Sequence, residues 1–102
     1  MKTIARIPLT KPKINAALAE LPGWSFDDNR LKKAFQFKSF REAMAFIVRL
    51  AFEAEQMNHH PEIHNVYNRV ALALNTHDAG GRVTAMDVEL AKRVEKARSA
   101  LV

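Results

Sequence analysis

The sequence predicts an α+β fold: a four-stranded antiparallel sheet with three helices packed on one face, in the order α-β-β-α-β-β-α. Two observations carry this. Three stretches repeat apolar residues at helical spacing, and two pairs of short stretches, rich in alternating or β-branched apolar residues and joined by turn formers, lie between them. With 102 residues the chain can bury one modest core, so a single domain over 1–102 is expected.

The first helix begins behind Thr10 as N-cap, tolerates Pro12 in its first turn, and places Ile14, Ala17, Leu18 and Leu21 on one face before Pro22-Gly23 ends it. Trp24-Ser25-Phe26, a turn at Asp27-Asp28-Asn29 and the run Leu31 to Lys38 form the first hairpin, in which Phe35 and Phe37 alternate with Ala34, Gln36 and Lys38. Ser39 and Glu42 have capping-box spacing. They open a long stripe of Phe40, Ala43, Met44, Ile47, Leu50, Ala51, Ala54 and Met57. Pro61 disfavours helical geometry at His60, so this helix should end near Asn58 or His59. Val66-Tyr67 and Val70 to Leu74 read as strands with a turn at Asn68-Arg69. Thr84 caps the last helix, with Asp87 at N3 and Met86, Leu90, Val94, Ala97 and Leu101 on one face.

Composition excludes several function classes. No apolar run approaches the ~18 residues of a membrane span, and the segment Met1 to Pro8 lacks the continuous apolar stretch of a secretory signal. The chain has no cysteine, which removes disulfides, thiolate metal sites and a Cys nucleophile and fits a reducing cytoplasm. A net charge of +5 suits a polyanionic partner, but Lys and Arg are spread along the chain, and the densest group, Lys92 to Arg98, is broken by Glu95. Nucleic-acid binding is therefore not expected as the main role.

The chemistry concentrates in histidine. His59, His60 and His64 flank Pro61, and His77 closes the second hairpin before Gly80-Gly81, so a helix end and a strand end carry imidazoles that a two-layer fold can bring together. A zinc site would need three or four convergent ligands; His60 and His64 have i, i+4 spacing, but Pro61 interrupts the turn, and no metal site is expected. A Ser-His-Asp hydrolase fails because no serine sits in a nucleophile-elbow context. Acid/base work suits imidazole, whose ordinary pKa of ~6.5 lets it donate or accept at neutral pH. Glu55, four residues before His59, is a candidate for the carboxylate that would fix its tautomer. A polar helix C-cap explains His59-His60 equally well. Spacing alone leaves both readings open.

The set Glu55-Gln56-Met57-Asn58-His59-His60-Pro61, followed by Tyr67, His77 and Asp87, closely resembles the pterin-4a-carbinolamine dehydratase family, as do Gly23-Trp24, Phe35 to Phe40 and Thr76 to Gly81. The resemblance implies the same α+β fold and the dehydration of 4a-hydroxytetrahydropterin to quinonoid dihydropterin and water, with no metal or redox cofactor. It further implies that His59, His60 and His77 are the active-site histidines, with Glu55 as the carboxylate beside them, and that Asp87, Trp24 and Thr76 belong to substrate binding. Tyr67 matches the motif but is expected to pack in a strand, and His64 to be exposed. The partners implied are the pterin, further copies of the chain in a dimer or tetramer, and an aromatic amino acid hydroxylase as a functional neighbour. Vertebrate members also bind a homeodomain transcription factor, so an interaction module is the rival expectation, and a different pterin, such as one of molybdopterin metabolism, is a third.

Overall fold

The structure, a computed structural model, describes residues 4–100. Helix α1 (Lys11–Ala19) starts behind an extended Thr10 with a proline in its first turn. It ends before the expected Pro22-Gly23, because Glu20 leaves helical geometry and the N–H groups of Glu20 and Leu21 bond in tighter turns to Ala17 and Leu18 at 3.0 and 3.1 Å. That tightening turns Leu21 into the core, 3% exposed.

Strands β1 (Ser25–Asp27) and β2 (Arg30–Gln36) are joined by Asp28 and Asn29, whose φ values of 53° and 56° suit the two residue types that best tolerate the left-handed region. Helix α2 (Phe40–Met57) is capped by the Ser39 hydroxyl, which accepts from the Glu42 N–H at 3.1 Å. The Glu42 carboxylate reaches back to the Lys38 N–H at 3.0 Å, one residue earlier than a capping box requires. Its buried face is Ala43, Phe46, Leu50 and Ala54. The expected stripe is thus rotated: Phe46 is fully buried against Phe35 and Phe37 at ring separations of 4.9 and 5.0 Å, while Phe40 and Ala51 face solvent.

Strand β3 (Glu62–Val66) starts well before the expected Val66, and Tyr67, with φ of 52°, sits in the turn and not in a strand. The physical reason is position. β3 is an edge strand, exposed along nearly its whole length, so it carries no alternating buried pattern. Strand β4 (Arg69–Leu74) buries Val70, Leu72 and Leu74, and helix α3 (Ala85–Ser99) buries Leu90, Ala91, Val94 and Ala97. Leu101, expected on the same face, lies outside the described residues.

The sheet order is β1-β2-β4-β3, antiparallel throughout. Leu31 opposite Leu74 and Phe35 opposite Val70 form the face covered by the helices. The other face presents Lys32, Ala34, Ala71, Ala73, Glu62 and His64 along an open cleft. The expected three-helix, four-strand order and antiparallel sheet are the ones observed. No helix among the described residues is long and apolar enough to cross a membrane.

Candidate active site

The site begins where α2 stops. Asn58 adopts the left-handed conformation (φ 50°, ψ 45°), its N–H bonds to the Glu55 carbonyl at 3.0 Å, and the His59 N–H bonds to the Ala54 carbonyl at 3.0 Å. These two bonds are a Schellman motif, and Asn is the common non-glycine residue at its left-handed position. The turn sends the two adjacent histidines in different directions. His59 goes inward, 5% exposed, and His60 outward. The i, i+4 relation between Glu55 and His59 is lost with the helix, and Glu55 pairs instead with His60, Oε1 to Nε2 at 2.8 Å, in an exposed contact.

The carboxylate that holds His59 comes from α3. Asp87 Oδ1 lies 2.6 Å from His59 Nε2, and Asp87 has no exposed surface. Its Oδ2 accepts from the Thr76 hydroxyl at 2.8 Å and from the Thr84 N–H at 2.9 Å, the latter completing the capping box of α3. Thr76 and Thr84 are also fully buried, with their hydroxyls 2.7 Å apart, and the Met86 N–H donates to Thr84 Oγ1 at 3.1 Å. Because a carboxylate only accepts, the hydrogen directions follow in sequence: Thr76 donates to Asp87, Thr84 donates to Thr76, and His59 donates through Nε2. In the neutral ring this leaves the lone pair on Nδ1. No buried side-chain nitrogen or oxygen among the described residues lacks a partner, and Nδ1 has no partner among those residues, so it is the ring atom that meets the adjoining cavity.

That cavity is a polar cup of about 220 Å³. His59, His60 and His77 line it, together with Asn58, Asn75, Asp78 and, from the segment before α1, Arg6. His77 is delivered by a tight loop. Thr76 pairs with Arg82, the Gly81 N–H returns to the Thr76 carbonyl at 3.1 Å, and Gly80 and Gly81 both need positive φ (71° and 74°) to close it. Asn75 Nδ2 braces the loop by donating to the Gly81 carbonyl at 3.1 Å.

The three histidines expected to converge therefore share one cavity. Thr76 and Asp87, placed by resemblance with substrate binding, lie beneath His59 and meet the cup through its imidazole. Trp24 lies in the core, donating from Nε1 to Glu95 at 2.9 Å with its ring edge-on to Phe35, and it is not among the cup's lining residues. His64 is exposed on the open sheet face. Arg6, Asn75 and Asp78 were missed. Asn75 and Asp78 flank Thr76-His77 and could have been found by adjacency, whereas nothing in the local pattern marks Arg6. No group of three or more His, Asp or Glu side chains among the described residues could hold a metal ion.

In this antiparallel α+β sandwich a helix end and a strand end bring three histidines to one polar cup, and a buried carboxylate fixes one of them. The family pattern described as pterin 4 alpha carbinolamine dehydratase matches residues 7–97, and the chain belongs to that family. A relative from Opitutus terrae, named "Putative pterin-4-alpha-carbinolamine dehydratase", is 60% identical over 88 residues, covering 86% of this chain and 91% of its own length. One of the same name from Sulfolobus acidocaldarius is 46% identical over 88 residues, 86% of this chain and 96% of the relative. Among solved structures, a transcriptional coactivator/pterin dehydratase from Brucella melitensis superposes with a TM-score of 0.85 at 36% identity, over 89% of this chain and 98% of that one. A pterin dehydratase-like protein identified as a RuBisCO assembly factor in the alpha-carboxysome gives 0.60 at 25% identity, over 74% and 86%.

Proposed function

We propose that this chain converts a 4a-hydroxytetrahydropterin to quinonoid dihydropterin and water by histidine acid/base catalysis, recycling the pterin cofactor of aromatic amino acid hydroxylases in the cytoplasm. The observation that carries the proposal is the His59–Asp87 bond, which puts the proton on Nε2 and the lone pair on the ring nitrogen open to the cup. His59 Nδ1 takes the N5 proton, the N–H electrons become the second bond of C4a=N5, and the C4a–O bond breaks. His77, which makes no side-chain hydrogen bond among the described residues and is free to turn, gives the departing hydroxyl the proton that makes it water. The step is redox-neutral, and its protons balance between two imidazoles that re-equilibrate with solvent. His60, held by Glu55, shapes the remaining wall beside the leaving group. Thr76 and Asp87 act through His59 as positioning residues, and Trp24 acts through the packing of the core.

Stopped-flow absorbance of 4a-hydroxytetrahydropterin decay tests this. The wild type should accelerate decay well beyond buffer, and His59→Ala and His77→Ala should each lose about 10²-fold or more. Decay no faster than in buffer would end the dehydratase reading.

Self-association to a dimer or tetramer is part of the same proposal. Phe40, Met44, Val48 and Phe52 follow one another at i, i+4 along α2, and three of them are large exposed hydrophobics, up to 72% at Phe52. Edge strands β1 and β3 leave unpaired backbone at both sides of the sheet. The same α2 stripe favours a second reading, a protein-interaction role that would survive loss of the histidines.

A further inference from the structure

Arg6 is the only lysine or arginine lining the histidine cup among the described residues. The segment that carries it is pinned to the loop before α3 by the Leu9 N–H, which donates to the Val83 carbonyl at 2.9 Å. One Nη2 hydrogen goes to the Asn58 carbonyl at 3.3 Å, so Arg6 leans on the turn that aims His59. Its other amine stands 3.9 Å from Asp78 Oδ2, which is attractive but too long for a hydrogen bond. A guanidinium has five donors in a fixed fork and a carboxylate has about four acceptor sites, so among the described residues both groups face the cup with most of their capacity unused. Side by side they present a donor and an acceptor a few ångströms apart. A ligand satisfies both at once if it offers an acceptor next to a donor on one rigid edge. A purely anionic group does not, because Asp78 repels it at the same rim.

Resting on the dehydratase reading, we propose that Arg6 is a substrate-binding residue that reads the lactam edge of the pterin ring. Its guanidinium donates to the ring carbonyl, and Asp78 accepts from the ring N–H beside that carbonyl. The ring is thereby oriented with its central carbon and nitrogen toward His59 and His77. A residue from outside the sheet and helices then sets which way the flat bicycle enters.

Equilibrium fluorescence titration of the full chain with pterin, 2,4-diaminopteridine and 6-carboxypterin in neutral buffer, where the lactam N–H keeps its proton, tests this. The diamino compound replaces the ring carbonyl with an amine and removes the adjacent N–H. Wild type should prefer pterin over it by about 10-fold or more, the scale of one charge-assisted hydrogen bond. Arg6→Ala should bring pterin down to the affinity of the diamino compound and leave the latter unchanged, and Arg6→Lys should keep part of the preference. Equal weakening of both ligands by Arg6→Ala would reduce Arg6 to a structural support and overturn the proposal. A loss confined to 6-carboxypterin would overturn it in favour of side-chain recognition. If wild type binds no pteridine at all, the proposal falls together with the dehydratase reading. A wild type that binds pterin and diaminopteridine equally refutes the lactam contact alone.

Discussion

Replacing Asp87 by asparagine separates the two jobs that one carboxylate performs. The amide has one acceptor oxygen where the carboxylate has two, and the three donors aimed at Asp87 are the Thr84 N–H, the Thr76 hydroxyl and His59 Nε2–H. If the amide oxygen stays with Thr84 and Thr76, the NH₂ group faces His59 Nε2 and forces the proton onto Nδ1, blocking the base. If it turns to His59, the N–H of Thr84 and the hydroxyl of Thr76 meet an amide donor. In the first case the rate should fall by about 10²–10⁴-fold, the usual worth of a positioned general base. In the second the cost moves to stability. A buried donor left unsatisfied costs about 1–3 kcal/mol, and loss of an N-terminal cap about 0.5–2 kcal/mol, so a total near 2–4 kcal/mol is expected. Stopped-flow decay of the carbinolamine, urea unfolding and ¹⁵N chemical shifts of the His59 ring would read the three quantities together. An Asp87→Asn protein with wild-type rate and stability would refute this reasoning. So would a wild-type neutral His59 ring carrying its proton on Nδ1.

The other predictions test single contacts. Thr76→Val keeps the shape but removes a donor to Asp87 and an acceptor for Thr84, and should cost about 1–3 kcal/mol in chemical unfolding. Asn58→Gly should be neutral to slightly stabilising, while Asn58→Ala, forced to positive φ, should lose about 1 kcal/mol in thermal melts and slow dehydration by misplacing His59. Glu55→Ala breaks an exposed pair with His60 and should change stability by under about 1 kcal/mol, with a smaller effect on rate than His59→Ala. Val48→Glu with Phe52→Glu should shift sedimentation toward the monomer and leave the far-ultraviolet circular dichroism unchanged.

The layout of the fold was legible because burial imposes periodicity. Leu50, Ala54, Leu90 and Val94 repeat at helical spacing because each faces the sheet. The start of β3 was not legible because an edge strand exposed along nearly its whole length imposes no alternation, and only its last residue, Val66, reads as strand. Phe46 escaped for a different reason. Several apolar residues of α2 are exposed, so apolarity around the helix did not distinguish the buried stripe from the solvent-facing one. In the site, histidine spacing and the Thr84–Asp87 cap were visible locally. The pairing of Asp87 with His59 was not, because it spans 28 positions and depends on a left-handed residue redirecting the chain. The same redirection handed Glu55 to His60. Arg6 reaches the cup only through tertiary packing.

The capping box of α3 has a consequence in time. The first turn of a helix is ordinarily its loosest part, opening and closing many times for each global unfolding. Here that turn cannot open without releasing Asp87, and an open turn leaves the His59 ring free to rotate and exchange tautomers. Fraying at one helix end is thereby converted into an on–off fluctuation of the imidazole proposed as the base. Hydrogen exchange at the Thr84 and Met86 amides would clock it. Mutations along α3 far from the cup would then alter turnover through the fraction of time the turn stays closed.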